Sequence, residues 1–138
     1  MGDRRAVRLD WSGERLRFHG GGTDPVSAEI VLDADNEQGP SPMLALLLAA
    51  AGCTGADVVS ILKKMRVDLR ALSVEVEGAR RDEHPKRYTA ITYRFRIEGE
   101  GLDRAKAERA VQLSMERYCS VSHSLAPDIA ITHEIELV

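Results

Sequence analysis

The chain has 138 residues, a formal charge of −3 and 4% aromatic residues. A chain of this length builds one domain with its own core, taken as 1–138. Scattered basic residues and few aromatics exclude a nucleic-acid-binding surface. The opening MGDRRAVRLD lacks the apolar stretch of a secretory leader, so the expected location is the cytoplasm.

In residues 5–11, Val7, Leu9 and Trp11 fall on one face, which predicts a strand. Ser12 and Gly13 signal a turn. Leu16 and Phe18 then alternate with Arg15 and Arg17, predicting a second strand and a hairpin. His19 and the glycines at 20–22, through Pro25, read as a flexible loop. A third strand is expected near 28–32, followed by a polar loop at 33–40.

A long helix is predicted over 41–66. Ser41 serves as N-cap and Pro42 fits the first helical position, where a missing N–H costs nothing. Residues 43–51 are apolar without exception, so other structure must wrap this end. The apolar run at 43–53 is too short to cross a bilayer, and Asp57, Lys63 and Lys64 end it. Gly52 and Gly55 flank Cys53 and permit another backbone to approach.

Downstream, Leu72, Val74 and Val76 alternate with polar residues, and residues 81–86 form a charged turn. Ile91, Tyr93, Phe95 and Ile97 make the clearest strand. A helix is expected over 103–118, with Ala107, Ala110, Val111, Ser114, Met115 and Tyr118 on one stripe. A short helical turn at 120–126 and a last strand through Ile129, Ile131, Ile135 and Leu137 complete the chain. The order βββ-α-ββ-αα-β defines an α+β fold with largely antiparallel sheets wrapped around a long central helix.

The chemistry available rests on Cys53 and Cys119, the two cysteines of the chain. In a cytoplasmic protein they read as free or redox-active thiols rather than a structural disulfide. Each is either a small packing residue or part of a protected reactive centre. A helix start at Ser120 would lower the Cys119 pKa. His123 reads as a surface histidine; Asp57 either caps something nearby or points to water and solvates its helix. His19, His84, His123 and His133 show no metal-ligand spacing with each other or the cysteines. No cofactor or metal is implied.

The pattern P-x-x-x-L-L-L-A-A-A-G-C-T at 42–54, its continuation ADVVSILKK, and AVQLSMERYCSV at 110–121 resemble the OsmC/Ohr family, the osmotically inducible and organic hydroperoxide resistance proteins. The resemblance spans nearly the whole chain. It implies an intertwined homodimer with each active site at the subunit interface. It also implies a hydroperoxide-reducing activity, with Cys53 as peroxidatic thiol, Cys119 as resolving thiol and an external dithiol as reductant. Family peroxidases carry a glutamate just after the proline that opens the helix, where this chain has Met43. They also use an arginine from the preceding loop or strand, whereas residues 33–40 contain none; Arg15 and Arg17 lie upstream. The match is closest to the OsmC-like branch without that Arg/Glu pair. The competing expectation is a non-catalytic dimer that binds a small apolar or thiol ligand. No nucleic-acid or membrane partner is expected.

Overall fold

A computed structural model describes residues 2–138. The elements are β1 (Ala6–Trp11), β2 (Arg17–Asp24), β3 (Ile30–Asp33), α1 (Pro42–Lys64), β4 (Asp68–Arg80), β5 (Tyr88–Glu100), α2 (Arg104–Leu113), a π-helical turn (Ser114–Tyr118), α3 (Ser120–His123) and β6 (Ala130–Leu137). The predicted order and the α+β class are observed. Contacts gather into two compact units, one ending at Leu46 and one running Leu47–Val138.

The first unit is a three-stranded antiparallel sheet in the order β1-β2-β3. Here one expectation is corrected. The glycines at 20–22 lie inside β2 and do not form a loop. They pair with Leu9, Arg8 and Val7. A Cβ on Gly20 would collide with the Arg8 carbonyl, and one on Gly21 would sit 2.8 Å from the Ala28 carbonyl oxygen. The run is glycine because neighbouring backbone presses on it from both sides. Asp33 is fully buried and accepts from the N–H groups of Asp35 and Gln38 and from Arg17. These donors, led by Gln38 against the cost of burial, hold its carboxyl below the ordinary range.

α1 begins as expected: Leu44 N donates to Ser41 Oγ at 3.3 Å. It ends at Lys64, where Val67 N reaches Leu62 O and Arg66 N reaches Lys63 O, with Arg66 in the left-handed region at φ 63°. That is a two-bond helix stop built without the usual glycine. By length and composition α1 as a whole is apolar enough to cross a membrane. Leu47, Ala50, Thr54, Val58 and Leu62 form its buried core face, while Leu44 and Leu48 stay exposed and only 22% of its most apolar stretch is buried.

In the second unit β4, β5 and β6 form the other sheet, with β5 in the centre. β4 and β5 are antiparallel, but β5 and β6 are parallel. A parallel pair needs a long crossover, and α2, the π turn and α3 supply it. On β5, Tyr88, Ile91, Tyr93, Phe95 and Ile97 point into the core. The opposite face is a charge ladder in which Arg94 meets Glu75, Glu77 and Glu134, and Arg96 meets Glu136. Leu47 of α1 reaches toward Gly78 of β4, and Gly55 toward Val74. Among the described residues no backbone approaches Gly52 or Gly55 closely: a Cβ on Gly52 would meet nothing within 4 Å, and one on Gly55 would meet Val74 Cγ2 at 3.6 Å.

α2 opens with Asp103 as N-cap, its carboxylate accepting from Lys106 N at 2.8 Å. Ala107, Ala110 and Val111 are buried, as the stripe predicts. The predicted helix over 103–118 does not continue as an α-helix. At Ser114 it widens into a π turn, closed by Cys119 N donating to Ser114 O. One extra residue in that turn rotates everything after it. Tyr118, expected on the stripe, is therefore exposed, and Cys119 takes the inward position.

Candidate thiol site

Cys53 lies on α1 and is half-buried; Cys119 follows the π turn and is fully buried. Both belong to the second unit, and both are free thiols. The residue beside Cys53 joins them: Thr54 Oγ1 donates to Cys119 Sγ at 3.2 Å. Among the described residues its other acceptor is Met115 Sδ at 4.0 Å, so its single proton belongs to the shorter bond to Cys119. Cys119 is also the N-cap of α3, its sulfur accepting from Ser122 N at 3.4 Å. The Ser122 hydroxyl donates to the Cys119 carbonyl at 3.2 Å and also favours the charged form of the Cys119 sulfur.

These contacts divide the two thiols electrostatically. Burial pushes Cys53 up; the Val121 and Ser120 N–H groups offset this in part, while Cys119 raises it further. Burial acts on Cys119 too. There the Ser122 hydroxyl and N–H, the Thr54 hydroxyl and the Cys53 S–H outweigh it and bring the thiol below its ordinary range. The first negative charge of the pair is held at Cys119, with Cys53 donating toward it.

Of the two expectations for Asp57 the structure shows a nearby partner and not helix solvation. Its carboxylate accepts from Ser114 Oγ at 2.8 Å and so ties the first residue of the π turn to α1, one turn beyond Cys53. His123 is exposed, and its Nδ1 lies 2.9 Å from the Cys119 carbonyl oxygen. Arg15 and Arg17 are committed within the first unit. Arg17 meets Asp33 at 3.3 Å and Glu37 at 2.8 Å, and Arg15 meets Asp35 at 3.3 Å. Among the described residues no three His, Cys, Asp or Glu side chains converge as a metal site. A surface cavity of about 500 Å³ lined by Arg104, Glu108, Gln112, Glu116, His133 and Ile135 carries neither cysteine.

Sequence reasoning missed Thr54, Ser114 and Tyr93. Thr54 is a β-branched polar residue at a fully buried helix position, a signal that its hydroxyl has a partner. Tyr93 was read as a core strand residue, and its ring is one, stacked on Phe95 with centroids 6.1 Å apart. Its hydroxyl stands near Thr54, whose proton goes to Cys119, and has no hydrogen-bond partner among the described residues.

A long apolar helix carrying one thiol, a second thiol presented by a late helix junction, and two three-stranded sheets together define this class of protein: the chain belongs to the OsmC-like protein family, whose pattern matches residues 34–134. Among particular relatives, it is 42% identical over 133 residues to Protein YhfA of Escherichia coli strain K12, covering 96% of this chain and 97% of that one. A hypothetical protein from Aquifex aeolicus VF5 superposes with a TM-score of 0.84 at 32% identity, over 99% of both chains. The organic hydroperoxide resistance protein OhrB of Bacillus subtilis shares the fold at a TM-score of 0.60 and 21% identity, covering 97% of this chain and 98% of that one.

Proposed function

We propose that the protein is a cytoplasmic thiol-dependent hydroperoxide reductase working through Cys53 and Cys119. The observation that carries this reading is the 3.2 Å bond from Thr54, the neighbour of Cys53, to Cys119 Sγ. It holds the second sulfur against the helix that bears the first. Cys53, the more exposed thiol, passes its proton to Cys119 and attacks the terminal oxygen of the hydroperoxide. The O–O bond breaks, the alkoxide takes the proton from Cys119 and leaves as the alcohol, and Cys53 becomes a sulfenic acid. The Cys119 thiolate then attacks the Cys53 sulfur. Hydroxide departs and is protonated to water, and a disulfide forms. An external dithiol restores both thiols by exchange. Cys119 thereby takes the place of an arginine as the group that draws the proton from Cys53.

Reduced protein mixed with cumene hydroperoxide and a dithiol is expected to consume the peroxide, and peptide mapping to recover a Cys53–Cys119 disulfide. Consumption no faster than with dithiol alone overturns the reading. A second reading, a non-catalytic dimer binding an apolar or thiol ligand, is favoured by one observation: burial holds Cys53 above the ordinary thiol range.

In either reading the working unit is a homodimer. α1 leaves Leu44 and Leu48 uncovered, the latter 61% exposed, and β1 presents Val7, Leu9 and Trp11 outward. Faces this apolar are covered in a stable soluble protein, and the family resemblance names a second copy as the cover. Sedimentation is expected to give the mass of a dimer at micromolar concentration; a monomer would remove this part of the proposal.

A further inference from the structure

Tyr93 is fully buried on the central strand β5, between Val76 of β4 and His133 of β6. Its hydroxyl has no hydrogen-bond partner among the described residues. Burying an unpaired hydroxyl is costly, and such groups in native proteins call for an explanation. Phenylalanine would fill the position without that cost, as Phe95 does two residues on. The hydroxyl is not lost in a hydrocarbon interior. It lies beside Thr54 and close enough to Cys119 and Cys53 that a charge on either sulfur is felt at the phenol. Burial pushes that phenol up to about 12, with Cys119 adding to the effect, so at neutral pH it is a donor and stays one. A donor near two sulfurs, one of which acquires an oxygen during turnover, has its acceptor supplied by the reaction.

We propose that Tyr93 is a further catalytic residue of this site, donating to the oxygen left on Cys53 and protonating it as it departs. This rests on the hydroperoxide reading given above. After O–O cleavage, Cys53 carries S–OH. The Cys119 thiolate attacks the Cys53 sulfur, the S–S bond forms and the S–O bond breaks. The leaving hydroxide takes the Tyr93 proton and becomes water. When the dithiol reopens the disulfide, one of its two protons returns to Tyr93 and the other stays on Cys53. The residue therefore acts on disulfide formation and not on peroxide attack.

The test separates those two steps. Reduced wild type, Tyr93→Phe and Cys119→Ala each receive one equivalent of cumene hydroperoxide and are quenched over time with dimedone, which traps sulfenic acid. Mass spectrometry follows the adduct on Cys53 and the Cys53–Cys119 disulfide. Wild type is expected to pass to disulfide with little adduct. Tyr93→Phe is expected to oxidise Cys53 at close to the wild-type rate but to form the disulfide roughly 100-fold more slowly, accumulating adduct, whereas Cys119→Ala forms no disulfide and is slowed in the oxidation of Cys53 itself. A merely structural role for the hydroxyl would not separate the two rates. Disulfide formation by Tyr93→Phe at the wild-type rate overturns the role of Tyr93 while leaving the peroxidase reading intact. Neither adduct nor disulfide in wild type overturns the peroxidase reading, and Tyr93's role with it. The phenylalanine variant removes an unpaired group, so its melting temperature is expected to equal or exceed that of wild type.

Discussion

Cys119→Ala is expected to lower dithiol-driven hydroperoxide turnover by roughly 10²–10⁴-fold, the range associated with loss of a positioned proton acceptor. Cys53→Ser is expected to abolish turnover, since a serine hydroxyl at neutral pH is not a comparable nucleophile. The Cys119 variant carries a second, opposite signature. In the native pair the neighbouring Cys119 raises Cys53. With the neighbour removed, Cys53 ionises at lower pH and alkylates faster at neutral pH. Slower turnover together with faster alkylation is the combination that only a paired mechanism produces. The sign follows from which sulfur holds the first charge: Cys119 has the Ser122 and Thr54 donors and is brought down, and Cys53 pays for that charge and goes up. If Cys119→Ala turns over hydroperoxide within threefold of wild type, Cys119 neither activates nor resolves Cys53.

Phe95→Ala is expected to destabilise the protein by about 3–5 kcal/mol, read from the urea midpoint at unchanged slope. Phe95 is 1% exposed on the central strand of the second unit. Its ring lies nearly parallel to that of Tyr93, at 5°. Truncation removes the transfer energy of the ring, opens a cavity that two flanking strands limit in collapsing, and ends an aromatic contact worth about 0.5–1.5 kcal/mol beyond area burial. Because Tyr93 is the stacking partner, the same variant is expected to loosen the donor proposed for the sulfenic oxygen, so loss of stability and slowed disulfide formation should appear together. A cost under 1 kcal/mol would mean that this face of β5 is not the core of the unit.

Local pattern was sufficient wherever a residue's place depends on its near neighbours. The cap at Ser41, the apolar core face of α1, the alternation of Ile91, Tyr93, Phe95 and Ile97, and the start of a helix at residue 103 were all legible, because each is decided within one or two turns of chain. Where long-range contacts compete with local preference, the reading failed. Glycines at 20–22 look like a loop until the Arg8 and Ala28 carbonyls are seen pressing on them. Alternation in β6 is the same for either strand direction, so only the crossover shows that it runs parallel to β5. Asp57 looked like a helix-solvating carboxylate because its partner, Ser114, lies on another element.

Composition, element order and the two cysteine-bearing motifs were enough to determine the α+β class, the family and the identity of the candidate thiols, since these are properties of residue type and local spacing. Tertiary structure decided how those thiols differ. A single extra residue in the π turn moves Cys119 inward where Tyr118 was expected, Thr54 reaches across from α1 to hold it, and a β5 hydroxyl comes to stand unpaired beside both sulfurs. Hydrogen-bond donors and burial set the order in which two like groups ionise, and both come from segments remote in the chain, so no reading of either cysteine's own neighbours could have supplied them.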